Sequence, residues 1–231
     1  MKTTHDTSAR LWLAPLLLFG STFVAGCSTT KSDVQNSDKP TTPAPGAHDM
    51  GDMQLPPGWT AEDMQACMTA GTPGPKHEML AKSVGTWTGT STMWMAPGTE
   101  PMTSTITSTI TSVMDGRYTR CEVQGEMAGM GAFHGLGYSG FDNVSQKFVS
   151  SWMDNHSSGI MNGEGKLSAD GKTLTWTFEY NCPITKKPAI MREVDHFTSD
   201  DAMTMEMFGK DPKSGVEFKM MKLDMKRQSG S

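Results

Sequence analysis

Between Met102 and Met114 the chain alternates with a period of two. Thr103, Thr105, Thr107, Thr109 and Thr111 fall on one face, and Ser104, Ile106, Ser108, Ile110 and Ser112 on the other. Successive side chains of a strand point to opposite sides of a sheet, and β-branched residues suit that pleated surface, so the pattern excludes a helix. The same logic returns with a stronger apolar face where Leu174, Trp176, Phe178 and Tyr180 alternate with Thr173, Thr175, Thr177 and Glu179, and again at Met203, Met205 and Met207.

Further runs at Thr86 to Met95, Arg117 to Gly125, Phe133 to Phe141, Lys147 to Asp154, Ser158 to Leu167, Ala189 to Phe197 and Val216 to Lys226 are separated by turn residues. Asp115-Gly116 and Asp170-Gly171 have the chemistry of two-residue hairpin turns, because both dipeptides tolerate positive φ. About ten short strands at this spacing, with no helix-length segments between them, predict a mainly β fold: a single antiparallel up-and-down barrel. Ahead of it, Thr60-Ala61-Glu62-Asp63 supplies an N-cap and an acidic first turn for a short helix to Thr69, with Met64, Cys67 and Met68 on one face. Thr72-Pro73-Gly74-Pro75 stops it, and a second short helix is expected from Lys76 to Lys82, with Met79 and Leu80 packed inward.

The N-terminus has the layout of an export signal. Lys2 and Arg10 flank a polar start, and Leu11 to Gly26 is an apolar stretch too short to span a bilayer comfortably. It ends in Val24-Ala25-Gly26-Cys27, which resembles the bacterial lipobox. That resemblance implies lipidation of Cys27, cleavage before it, and a membrane anchor of several acyl chains. Ser28 at the following position points to the outer membrane facing the periplasm. From Ser28 to Pro57 the chain is Ser-, Thr-, Asp-, Lys-, Pro- and Gly-rich, with too little apolar surface to fold. The expected organisation is therefore a signal peptide over 1–26, a lipidated cysteine and disordered tether over 27–57, short helices over 58–83 and the barrel over 84–228.

The junction of the second helix with Gly85-Thr86-Trp87, together with Lys226-Arg227 on the last strand, resembles the calycin pattern, the superfamily of the lipocalins. The resemblance implies that Gly85, Trp87 and Arg227 close the barrel floor, the arginine lying across the indole. More of the chain carries a resemblance, in Gly74-Pro75-Lys76-His77-Glu78-Met79-Leu80, Val84-Gly85-Thr86-Trp87, Met93-Trp94-Met95-Ala96-Pro97-Gly98, Asp115-Gly116-Arg117-Tyr118, Gly135-Leu136-Gly137-Tyr138-Ser139-Gly140-Phe141-Asp142-Asn143 and Trp152-Met153-Asp154. In these stretches it is similar to a bacterial family, the domain of unknown function 1579. It implies a lipocalin-like barrel and brings no catalytic residues. Asp224-Met225-Lys226-Arg227 departs from the pattern in lacking an aromatic before the terminal arginine.

The chemistry is less legible. A net charge of −5 argues against nucleic-acid partners, which require basic surfaces that neutralise phosphates. Nucleophile-elbow, zinc-protease and dinucleotide signatures are absent, so no enzyme is expected and no cofactor is assigned. Asp142, Asp154, His134, His156 and His196 read as solvated strand ends, with a cluster at one barrel mouth as the sharper alternative. Methionine is abundant, with 21 residues. Thioethers suit copper(I), and His48, Met50 and Met53 in the tether form an alternative metal group, as do Met127, Met130 and His134. Filling irregular apolar spaces explains most of the methionines without metal. With Cys27 lipidated, Cys67, Cys121 and Cys182 are left, and the expected pairing joins Cys67 to Cys182 with Cys121 as a buried thiol.

The expectation from sequence is a lipid-anchored envelope protein whose barrel binds a small apolar or amphipathic ligand between Leu174, Trp176, Phe178, Met203, Met205 and Met207. A copper-binding protein and a purely structural protein with a filled barrel are the alternatives.

Overall fold

A computed structural model describes residues 54–127 and 129–229. The expected leader over 1–26, the lipidated Cys27, nearly all of the tether and the His48, Met50 and Met53 group lie outside the described residues.

Two short helices come first. α1 (Ala61–Ala70) starts at a reciprocal cap: the Asp63 N–H donates to Thr60 Oγ1 at 3.2 Å and the Thr60 N–H to Asp63 Oδ2 at 2.8 Å. Met64 and Met68 are half-buried, whereas Cys67 is exposed, so the expected Met64–Cys67–Met68 face is not a buried one. α2 (Pro75–Ala81) begins with proline at its first turn, and the His77 Nδ1 accepts from the Gly74 N–H at 3.0 Å. His77 and Leu80 are its buried side chains, and His77 meets Phe141 edge-on at 6.0 Å.

Ten strands follow: β1 (Gly85–Met93), β2 (Met102–Val113), β3 (Tyr118–Met127), β4 (Gly131–Asp142), β5 (Lys147–Asp154), β6 (Met161–Leu167), β7 (Thr173–Asn181), β8 (Pro188–Ser199), β9 (Ala202–Lys210) and β10 (Glu217–Arg227). Each pairs antiparallel with the next, and β10 returns to β1, with Trp87 opposite Arg227 and Met93 opposite Met221. The barrel is closed, which removes the exposed edges an open sheet would present. Its four even-to-odd turns lie at the end where Trp87 and Arg227 meet, and the five other hairpins at the opposite end.

Alternation assigns the faces. In β2, Ile106, Ser108 and Ile110 are buried while Thr103, Thr105, Thr109 and Thr111 are exposed; in β7, Leu174, Trp176 and Phe178 are buried. Asp115 and Gly116, at φ 55° and 84°, form a hairpin turn in which the Arg117 N–H returns to the Met114 carbonyl. The second expected two-residue turn is longer. Asp170 keeps negative φ, only Gly171 is left-handed at φ 71°, and the Gly171 N–H bonds the Ser168 carbonyl, so the loop spans Ser168 to Lys172.

Buried apolar residues form two clusters. One joins Leu80, Phe148, Leu174, Trp176, Phe178 and Met191; the other joins Trp87, Ile106, Ile110, Val123, Leu223 and Met225. The first belongs to α2 and the β5–β8 wall, the second to the wall of β1, β2, β3 and β10. A domain of this size usually has one contiguous core.

Candidate functional site

The floor of the barrel is built around Trp87, which is 1% exposed. Its indole N–H donates to the Ser83 carbonyl at 2.8 Å, and the Arg227 guanidinium lies 4.2 Å from the ring centroid. Arg227 also donates to the carbonyls of Val84, Lys82 and Asp200 and to the Asp201 carboxylate, so one side chain ties the pre-barrel turn to the β8–β9 turn. Gly85 has φ 143°, and a Cβ there would stand 2.6 Å from an Arg227 guanidinium nitrogen, so the arginine's path requires glycine.

Above the floor the sequence-predicted ligand residues divide between the two walls. Leu174, Trp176 and Phe178 belong to the first cluster with Met207 packed against it; Met203 and Met205 pack against the second. The rings lie flat on glycines of the neighbouring strand. A Cβ on Gly163 would stand 2.6 Å from the Phe178 ring, and one on Gly165 2.7 Å from that of Trp176. Register puts these residues directly opposite one another.

Both walls also carry buried polar groups, which sequence reasoning missed. Ser91, Ser108, Thr119 and Glu193 are buried, and Asp195 lies two residues beyond Glu193 on the same face of β8. The Trp176 indole N–H donates to Asp195 Oδ2 at 3.0 Å, leaving Oδ1 sealed from water and without a hydrogen-bond partner among the described residues, although the residue as a whole keeps some exposure. Burial pushes the Asp195 carboxyl up to about 7 against the opposing effect of the indole bond. Burial also raises Glu193 well above the carboxylate range, and the neighbouring Asp195 charge adds to it. β3 lies five strands from β8 in either direction round the ring, so Cys121 faces the acids across the lumen. Its sulfur is 3.2 Å from Ser108 Oγ, and its thiol is raised first by burial and further by the negative charge of Glu193 and Asp195. In register, Trp176 and Met207 flank Glu193, and Leu174 and Met205 flank Asp195. The signal available in sequence was the odd alternation of Ala189, Met191, Glu193, Asp195 and Phe197, acidic in the middle and apolar at both ends.

The remaining sequence candidates do not converge. Asp142 and His196 lie toward the Trp87 end, while Asp154, His156 and His134 lie at the other, where the His156 N–H donates to Asp154 Oδ1 at 2.9 Å and its ring stacks on Phe133. A five-membered cluster at one mouth is therefore excluded. Among the described residues no group of three His, Cys, Asp or Glu side chains is placed to hold a metal. The expected Cys67–Cys182 bridge is not formed: among the described residues Cys67, Cys121 and Cys182 are unbridged. α1 is pinned near the Trp87 end by Asn143, which donates to the Ala70 and Thr72 carbonyls at 3.0 and 2.8 Å, whereas Cys182 follows β7 at the opposite end.

Two grooves lie on the outer surface. One of about 580 Å³ runs between α1 and the β4–β5 turn, lined by Gln65, Thr69, Asn143 and Gln146 among others. One of about 270 Å³ lies between the β1–β2 loop and β10, lined by Trp94, Pro97 and Phe218. Neither includes the acids.

The family model described as Protein of unknown function (DUF1579) matches residues 72–227. No curated protein matches the sequence. Among solved structures, the chain is similar to the crystal structure of Rv2717c from M. tuberculosis, at 13% identity and a TM-score of 0.52, covering 68% of this chain and 100% of that one. It is also similar to the S-type phycobiliprotein lyase CPES from Guillardia theta, at 12% identity and a TM-score of 0.48, covering 71% of this chain and 98% of that one. At 13% identity the likeness to Rv2717c concerns the fold alone, a closed antiparallel barrel.

Proposed function

This chain belongs to the DUF1579 family, and from that premise we propose that it is an exported, lipid-anchored protein of the cell envelope whose barrel binds one small apolar or amphipathic molecule and catalyses nothing. The observation that carries the binding reading is that two apolar walls carry polar groups into the interior, including a carboxylate oxygen that has no partner among the described residues. A buried polar atom left unpaired costs about 1 to 3 kcal/mol, a cost that a bound molecule supplying a donor would remove. Eight- to ten-strand barrels have interiors wide enough for side chains to fill or for one small ligand. The anchoring reading is supported by Val24-Ala25-Gly26-Cys27 and by the unfolded composition of the tether, and Ser28 favours the outer membrane, facing the periplasm. The membrane is then the one macromolecular partner assigned.

A filled structural barrel is the second reading, favoured by the position of both grooves outside the lumen. One preparation tests both halves of the proposal. Full-length protein is expected to partition into detergent and to incorporate labelled acyl chains, and Cys27→Ala to lose both properties. After delipidation it is expected to bind the neutral fluorophore N-phenyl-1-naphthylamine at micromolar strength, about −8 kcal/mol, with altered affinity in Trp176→Ala and Met205→Trp. Equal binding by both variants, or none by the parent, favours the filled barrel.

A further inference from the structure

We propose that the molecule bound in the lumen carries a protonated nitrogen, an ammonium or amidinium group on an apolar body, and that Glu193 and Asp195 receive it. The inference rests on the lumen-binding reading above and adds the chemical class of the ligand.

Geometry supplies the argument. The Trp176 indole holds Asp195 Oδ2, fixing the carboxyl plane and leaving Oδ1 free as an acceptor. Glu193 projects into the same space from two residues away on the same strand face and is 8% exposed. Two carboxyl groups inside a protein ordinarily have a cation between or beside them. Here the ion pairs among the described residues all involve other side chains. Every element packed against the pair faces it with an uncharged group. β7 contributes Trp176 and Leu174, β9 contributes Met207 and Met205, and β3 across the lumen contributes the Cys121 thiol. No lysine, arginine or histidine among the described residues takes part, so the positive charge is left to a ligand.

The surroundings also select against the other classes. An anionic head group would meet two acids and no donor except neutral hydroxyl or thiol. A neutral alcohol could satisfy one acceptor only. An ammonium offers three donors, enough for Asp195 Oδ1 and a Glu193 oxygen together. The Trp176 ring and the thioethers of Met205 and Met207 are polarisable neighbours for a cation and its alkyl stem.

Protons balance as follows. In the free protein the raised carboxyls hold protons that bulk carboxyls would have lost. Binding a cation ionises them and releases those protons to solvent, so affinity for an ammonium rises with pH through neutrality, until the amine itself deprotonates near 10.

The test compares octylammonium, octanol and octanoate on the delipidated full chain by titration calorimetry at pH 5 and pH 8. Octylammonium is expected to bind about tenfold or more tighter than octanol at pH 8, a margin of about 1.4 kcal/mol, with a smaller margin at pH 5 and with octanoate weakest. Proton release, read from the dependence of heat on buffer ionisation, should accompany the ammonium alone. Glu193→Gln, and separately Asp195→Asn, should lose the ammonium preference and the proton release while octanol still binds, which shows that each variant is folded. Octanol binding as tightly as octylammonium, or a preference that survives both substitutions, overturns the assignment and leaves the lumen reading standing. Failure of all three probes and of the naphthylamine overturns both.

Discussion

The β5–β8 wall and the wall formed by β1, β2, β3 and β10 bury apolar surface by different means. On the first, aromatic rings form a chain, from Phe141 to Phe148 at 4.9 Å, on to Trp176 at 6.4 Å and Phe178 at 6.0 Å, and the last two lie over Gly165 and Gly163. On the second, Ile106, Ile110, Val123, Leu223 and Met225 supply bulk through branched and flexible chains, and Trp87 is the one ring among the buried members, at the base, with half-buried Phe133 and Trp152 packed against the cluster. A ring laid on glycine adds area without projecting far inward. The second wall uses the same device with Trp152 over Gly135 and Met225 over Gly89, and its strands also turn Ser91, Ser108, Thr119 and Cys121 toward the centre. The first wall is built on a chain of rings, and the second anchors the barrel at its floor.

The largest effect should come from removing that anchor. Trp87→Ala deletes a fully buried ring and its hydrogen bond to Ser83, and is expected to cost about 3 to 5 kcal/mol in urea denaturation. A loss below about 1 kcal/mol would mean that the second wall does not depend on its floor.

Next are the acids of β8. Because Asp195 titrates near 7 when folded and near 4 when unfolded, the unfolded state loses its proton first. Stability that is full below about pH 4 should therefore decline as the pH rises to about 7 and level off above, by on the order of 2 to 4 kcal/mol. Asp195→Asn should flatten this slope and make the unliganded barrel more stable than the parent at pH 8. Denaturation midpoints at pH 4.5 and 8 decide the matter, and an unchanged slope would move the titration elsewhere.

The smallest expected effect sharpens the ring-on-glycine argument. Gly165→Ala places a methyl 2.7 Å from the Trp176 ring and 3.0 Å from Phe148 Cβ. Overpacking of this kind costs about 1 to 3 kcal/mol. In a double-mutant cycle with Trp176→Leu the cost should shrink, since the atoms it collides with are gone. Additive effects would show that the glycine is there for backbone reasons alone.

The ladder of strands was legible because β2 and β7 carry their face assignment locally: Ile against Thr, and Leu, Trp and Phe against Thr, leave no doubt about which side is buried. β8 does not. Its two faces, Ile190, Arg192, Val194 and His196 against Met191, Glu193, Asp195 and Phe197, are each half polar, and the inward one is decided by Trp176 and the β9 methionines, which only the register supplies. The polar half of the candidate site was hidden for that reason, while Trp176, Met205 and Met207 beside it could be named. The cysteine pairing failed for a related cause: the ends of a barrel are set by strand direction, and Cys67 and Cys182 belong to opposite ends.

The strand order also bears on how the molecule assembles. Nine of the ten pairings join neighbours in sequence and need only short chain closures, but the seam between β1 and β10 brings residues 87 and 227 together. The seam has the longest sequence separation of all the pairings and therefore the largest closure entropy, which places it late in folding. Until it zips, the partly folded sheet presents two unpaired borders to other chains. Arg227, by bonding at once to the turn before β1 and the turn before β9, acts as the latch that ends this exposed interval.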